Sequence, residues 1–235
     1  MRDSVSPPKK RRRFGWVVLG LLLAIVLVGF WLYREATAVP DFYAEALTAP
    51  KTTIPPKVAA DRVEREVLNV QNRLERAEPW QLVLKDEEMN AWLATDLPQK
   101  MPQALPKEIE NPRVAIRDGA IHIACKHQKL MGGVLSLVLL PALTDKPNEL
   151  AVTVQSFCVG RLPLPQKQYL DEVSKAAAKS GLNLHWEERN GSAVALVLLP
   201  DQYENLKDRT VHIESVQVGE GELLIQGKAE RTKKP

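Results

Sequence analysis

Apolar positions in this chain fall into three successive patterns: one unbroken run, then stripes of helical period, then strand alternation. The run is Phe14 to Tyr33, FGWVVLGLLLAIVLVGFWLY, without a single charge. As a helix rising 1.5 Å per residue it would span roughly 30 Å, the hydrocarbon thickness of a bilayer. Trp16 stands near one end, with Trp31 and Tyr33 at the other, where amphipathic rings favour the headgroup level. The pattern predicts a transmembrane helix over 14–33. Residues 34–56 then read as a stalk punctuated by Pro40, Pro50, Pro55 and Pro56. A short helix from Asp41 to Leu47 fits between those prolines, with Asp41 as its cap and Phe42 and Tyr43 packing under the domain that follows.

From Lys57 the spacing becomes helical. Val63, Val67, Val70, Leu74 and Ala77 recur at steps of three and four, the stripe of an amphipathic helix that Pro79 ends. The charges around it, Arg62, Glu64, Arg65, Glu66, Arg73 and Glu75, read as its solvated side. Trp80–Leu84 is a short strand. A second helix starts near Asp86, with Met89, Trp92 and Leu93 on one side, and Pro98, Pro102 and Pro106 close it.

Beyond Pro112 the period drops to two. Val114 and Ile116 alternate into Asp118-Gly119, and Ile121 and Ile123 alternate away, a hairpin about a type I′ turn. Leu135–Leu140 is apolar at nearly every position, followed by a loop over Pro141–Pro147 and a returning strand over Ala151–Cys158. Gly160–Pro165 is an extended linker into a helix over Gln166–Ser180, with Tyr169, Leu170, Val173, Ala176 and Ala177 inward. Leu182–Glu188 and Ser192–Leu199 pair across Asn190-Gly191. A helical turn is expected over Asp201–Leu206. The last hairpin joins Val211–Val218 to Glu222–Ala229, and a change of phase inside its first arm places a bulge near Glu214-Ser215. The fold class is therefore α+β: residues 57–230 make one extracytoplasmic domain, a long, curved antiparallel sheet of hairpins packed with about three helices, and 231–235 is a frayed tail.

Charge fixes the expected orientation. The 235 residues carry a net +3, but residues 1–13 alone carry +5, leaving −2 for everything after the anchor. The basic block Lys9, Lys10, Arg11, Arg12 and Arg13 keeps the N-terminus in the cytoplasm and can contact anionic lipid there, at about 1 kcal/mol per residue. A short basic cluster beside an anchor is a topology signal, so nucleic acid is not a partner. A cleaved signal peptide is the competing reading, with Ala36-Thr37-Ala38 as its site. The run is longer than a signal core of about 7–15 residues, and Arg34 and Glu35 separate it from that site. The expected location is the cell (inner) membrane, single-pass, with the C-terminal domain outside the cytoplasm.

Little else in the composition points to chemistry. Cys125 and Cys158 can form a disulfide in that compartment or can serve as two small apolar strand residues; both remain open. His122, His127, His185 and His212 lack ligand spacing, so no metal and no cofactor is read. Neither a nucleophile motif nor a phosphate loop occurs, and no catalytic residue is assigned. Adjacent acids such as Glu87-Glu88 and Glu187-Glu188 read as solvated surface.

The doubly apolar strands carry the functional expectation. Alternation puts Leu135, Leu137 and Leu139 on one face of their strand and Val194, Leu196 and Leu198 on one face of theirs, and these six are the candidates to line an apolar groove. Burial on both sides of a sheet produces the same pattern, at about 1.5–3 kcal/mol per large side chain. The order helix–helix–hairpin, the apolar strand pair, Gly160-x-Leu162-Pro-Leu-Pro165 before a helix, and Val211-His-Ile-Glu-Ser-Val-Gln-Val-Gly-Glu-Gly-Glu-Leu223 resemble the YpmS-like anchored envelope proteins. They are similar also to the LmeA-like phospholipid-binding proteins related to the tubular lipid-binding (TULIP) superfamily. The resemblance covers roughly Lys57 to Ala229. It implies binding of a lipid or other apolar ligand in a curved-sheet groove, without catalysis, and with membrane lipids as partners. The alternative expectation is a scaffold for other envelope proteins, with the same sheet as an ordinary core.

Overall fold

The computed structural model describes residues 10–48, 54–130, 132–179, 182–200 and 208–231. Lys9 and the expected helical turn over Asp201–Leu206 lie outside the described residues. In chain order the elements are α1 (Lys10–Ala36), α2 (Asp41–Thr48), α3 (Pro56–Arg76), β1 (Pro79–Lys85), α4 (Asp86–Lys100), β2 (Ile109–Arg117), β3 (Ala120–His127), β4 (Val134–Leu143), β5 (Glu149–Val159) and β6 (Leu162–Pro163). α5 (Lys167–Lys179), β7 (Asn183–Arg189), β8 (Ser192–Leu198), β9 (Arg209–Val218) and β10 (Glu222–Arg231) follow. Every strand pairing is antiparallel. Two open sheets result. The small one has the order β1-β10-β9; the large one runs β2-β3-β4-β5-β8-β7, with β6 beside β5.

The apolar run is helical throughout and α1 continues past it to Ala36, so that Leu19–Ala36 forms a window long and apolar enough to cross a membrane. Its end is not a free stalk. The Glu35 carbonyl accepts the backbone N–H of Arg161 at 2.9 Å, and Ala36 is buried. Gly133 and Gly160, at the facing ends of β4 and β5, make this approach possible. A Cβ on Gly160 would stand 2.2 Å from the Glu35 oxygen, and its φ of +57° independently favours glycine. α2 then lies on one face of the large sheet. Phe42 and Tyr43 are buried there against Ala124 and Val134, with Ala115 alongside, and the Tyr43 hydroxyl donates to the Asn111 carbonyl at 3.1 Å.

Turn chemistry sets the hairpins. Asp118-Gly119 and Asn190-Gly191 both take positive φ, as the type I′ turn requires. In the last hairpin Ser215 pairs with Gln226 and Ile213 with Gly227, leaving Glu214 as the extra residue at the expected place. A second irregularity lies between Val138 and Leu139 of β4. Val138 pairs with Ser156 and Leu139 with Val154, so Gln155 of β5 is the inserted residue. β4 also runs on through Pro141, which pairs with Val152, instead of ending at Leu140.

Helices close the small sheet. Val70 and Leu74 of α3 pack on Trp80 and Val211, with Leu82, Ile213 and Ile225 around them. Val67, expected in the same stripe, is 51% exposed, as is its neighbour Leu68 at 55%. On α5, Tyr169, Leu170 and Ala177 are half-buried, whereas Val173 points out. α4 does not stop at Pro98; it carries that proline in its interior and ends at Lys100. The two sheets are joined at the β4–β5 turn. The buried amide of Asn148 donates to the Val211 carbonyl at 2.7 Å and accepts the Ile213 N–H at 2.9 Å, completing the hydrogen bonds of the β9 edge.

Candidate functional sites

The six candidate lining residues do not form one wall. Directly paired residues in an antiparallel ladder share a face. Leu135, Leu137 and Leu139 pair with Val159, Phe157 and Val154, and on the other side with Cys125, Ile123 and Ile121. Val194 pairs with Thr153, which pairs with Leu140, so Val194, Leu196 and Leu198 belong to the opposite face. Burial separates the sets further. Val194 and Leu196 are closed core positions at 1% and 7% exposure, while Leu198 is 46% exposed. Leu135, Leu137 and Leu139 are half-buried, and so are Ile121, Ile123 and Phe157 beside them.

The inserted Gln155 also settles the cysteines. It shifts the phase of β5, so that Cys158 faces with Ser136 while Val154 faces with Leu139. Cys125 shares the face of Leu135, so the two thiols lie on opposite sides of the sheet with β4 between them. Strands two positions apart are separated by roughly 9–10 Å, beyond the Cα reach of a disulfide. Both cysteines are free; Cys125 is buried and Cys158 half-buried, and burial pushes both thiols up. Of the two readings left open for the pair, the structure shows free thiols and not a disulfide.

Two clefts accompany the sheets, and none of the six candidates lines either. The larger, about 600 Å³, lies between α2, α4, β2 and the β9–β10 turn. Ala46, Ala91, Ala94 and Ala115 leave its space open, and Arg113, Arg117, Asp86 and Glu87 supply mixed charge. Its wall is built by α4 covering the edge of β2. Asn90 exchanges two hydrogen bonds with the backbone of Val114, at 2.7 and 2.8 Å. Asp86 accepts the Ile116 N–H, and Gly221 donates to the Ile116 carbonyl. The guanidinium of Arg117 lies 5.4 Å above the Phe42 ring, whose other neighbour is His122, also at 5.4 Å. The smaller cleft, about 580 Å³, is lined by Leu164, Pro165, Leu170, Trp186 and Ala193 among others. Trp186 is fixed there by its indole N–H, which donates to Ser174 of α5 at 2.9 Å.

A charged network that the sequence pattern treats as solvated surface instead joins α3 to α4. Asp96, 1% exposed, accepts Lys57 at 2.8 and 3.0 Å and Lys100 at 3.3 Å. Lys57 also pairs with Asp61, and Lys100 with Glu64, which takes the Trp92 indole N–H as well. Glu88, read as exposed, is buried and paired with Arg62 at 3.2 Å. The Lys57 hydrogen bonds hold the Asp96 carboxyl below its usual range, and the Asp96 and Asp61 bonds push Lys57 up. Asp61, Glu64 and Asp96 bring carboxylate oxygens within 4.8 Å of one another. The two ammonium groups already occupy them, so the arrangement pins two helices and offers no open ligand set. Only backbone neighbours and side-chain spacing across different elements could have revealed it, and helical periodicity carries neither.

No family model, no curated protein and no solved structure matches the chain.

Proposed function

We propose that this protein is a single-pass membrane protein whose domain, held outside the cytoplasm, binds a lipid or another apolar ligand along one face of its large sheet. The observation that carries this reading is the incomplete burial of that face. Ile121, Ile123, Leu135, Leu137 and Leu139 are contiguous across two strands, yet each stays half-buried; Phe157 beside them on β5 is packed edge-on against Tyr169 of α5 at 4.7 Å and closes one end of the wall. Large aliphatic side chains left in that state offer an apolar ligand surface to cover, at about 25 cal/mol per Å². Because the sheets are open, the ligand lies on a wall and is not enclosed in a tube. Val194 and Leu196 leave the lining set and join the core. The face is apolar; its one thiol among the residues paired with Leu135, Leu137 and Leu139 is Cys125, which is buried with its pKa pushed up, so the reading is one of binding and not of chemistry.

The positive-inside bias of Lys9–Arg13 puts the N-terminus in the cytoplasm and the domain on the other side. The inner membrane of a bacterial cell suits such an anchor. Docking of α1 onto Arg161 and of α2 onto β2–β4 ties the sheet to the end of the anchor, which supports a wall held close to the bilayer. The test is to purify the full chain in a lipid-free detergent and identify co-purifying lipid by mass spectrometry. Stoichiometric lipid that survives delipidating washes supports the reading. A chain that emerges free of apolar ligand and takes none back opposes it, and the same sheet then serves as the core of a scaffold for other envelope proteins.

A further inference from the structure

The fold gathers positive charge around the exit of α1, on the side of the membrane opposite the basic tail. Arg34 occupies the last turn of α1 and is exposed. Arg161 follows β5, and its backbone is bonded to Glu35 of that same turn. Lys126 pairs with Val134 at the end of the β3–β4 ladder, and the Val134 carbonyl accepts the Gly160 N–H at 2.8 Å. Lys126 therefore stands two strand spacings, roughly 10 Å, from the residue that contacts the helix end. All three side chains are exposed, and among the described residues none forms an ion pair, although Glu110 stands across the ladder from Lys126, where it accepts Gln128, and Glu35 follows Arg34. Nearby Lys129, by contrast, is paired with Glu108 at 2.6 Å. Everything after the anchor sums to −2, so this end of the domain is polarised against the charge of the rest.

Position decides the partner. Trp31 and Tyr33 close the uncharged run, inside the last turns of the apolar window, where amphipathic rings favour the headgroup level. Arg34 and Arg161 stand at that level, with Lys126 roughly 10 Å along the sheet, and cations so placed meet lipid phosphates before they meet any soluble ligand. We infer that Arg34, Lys126 and Arg161 form a basic rim around the helix exit that binds the phosphate groups of anionic phospholipid in the leaflet facing the domain. This rests on the membrane-spanning reading of α1. The rim would select anionic headgroups beside the sheet and hold the domain upright over them. Backbone docking at Glu35–Arg161 keeps the cations in place without the entropy cost of ordering a loose stalk.

The full chain is reconstituted into vesicles of phosphatidylcholine and phosphatidylglycerol. The association of spin-labelled phosphatidylglycerol relative to spin-labelled phosphatidylcholine is then read from the motionally restricted fraction. Contact from the cytoplasmic tail is removed in a background with Lys9 to Arg13 replaced by Gln. In that background a preference for phosphatidylglycerol should remain. Lys126→Gln and Arg161→Gln should each lower it on the order of fivefold, as about 1 kcal/mol per cation requires. Lys146→Gln, at the far end of the β4–β5 hairpin, should leave it unchanged. An unaltered preference in the combined Arg34→Gln, Lys126→Gln, Arg161→Gln variant overturns the rim while leaving the anchor intact. A chain that alkaline carbonate strips from the vesicles overturns the anchor itself, and the rim with it.

Discussion

The backbone N–H of Arg161 donates to the carbonyl of Glu35 at 2.9 Å, so the apolar helix α1 and the end of β5 in the large sheet are joined by a direct hydrogen bond. The glycine before Arg161 makes that contact sterically possible. Gly160→Ala would place a methyl 2.2 Å from the Glu35 oxygen at a φ of +57°. We expect a loss of about 2–4 kcal/mol from clash and left-handed strain together. Gly191→Ala, at φ +78° with nothing within 4 Å, is the control and should cost only about 1 kcal/mol. Urea unfolding midpoints compare the two; equal losses would mean that the helix end is not clamped.

Asn148 joins the sheets through both ends of its amide, and its removal should be felt at β9. Asn148→Ala leaves the Val211 carbonyl and the Ile213 N–H without partners in a buried setting. The expected cost is about 2–4 kcal/mol, with faster hydrogen exchange at Ile213 than at Val216. Exchange unchanged at Ile213 would show that the sheets meet by other means.

His122 supplies a pH dependence. Its Nε2 is buried without a partner, with the Phe42 ring on one side and Ala115 and Val138 paired on either side of it in the sheet. Burial first, then the charge of Arg117, lowers its pKa below the ordinary 6.5; a bond that the ring donates to the Arg117 backbone carbonyl and the charge of Asp118 oppose the shift. A base with a depressed folded pKa resists a proton that the unfolded chain accepts. Its contribution is therefore intact above 6.5, falls as pH drops through that value, and levels off below the folded pKa. Between about pH 7 and about pH 5 the wild type should lose stability relative to His122→Phe, measured by urea midpoints. A constant difference across that interval would contradict the environment described for this histidine.

Local chemistry made much of the fold legible. The apolar run, the Asp-Gly and Asn-Gly turns, the phase break at Glu214 and the burial of Phe42 and Tyr43 follow from residues within a few positions of one another. What escaped depends on pairing at long range. Gln155 is inserted opposite the Val138–Leu139 step of β4, and only that pairing shows that Cys158 is turned away from the face of Val154. The register of β5 with β8 likewise decides that Leu137 and Leu196 face opposite ways. Pro98 is tolerated inside α4, and Asp96 is buried beside it because Lys57, on another helix, supplies the counter-charge. Such a pair reads as surface until the two helices are brought together.

Uptake of a fluorescent acyl probe by two polar variants, each compared with the wild type by melting temperature as well, tests the binding wall most directly. Leu137 belongs to the half-buried face and Val194 to the closed core. In Leu137→Asn the amide reaches water when the wall is empty, so melting should change little while probe uptake falls several-fold. In Val194→Asn the amide is sealed among apolar groups, and stability should drop by about 2–4 kcal/mol. A wild type that binds no probe, together with a large melting loss in both variants, would mean that Leu137 lies in ordinary core and that the sheet presents no wall.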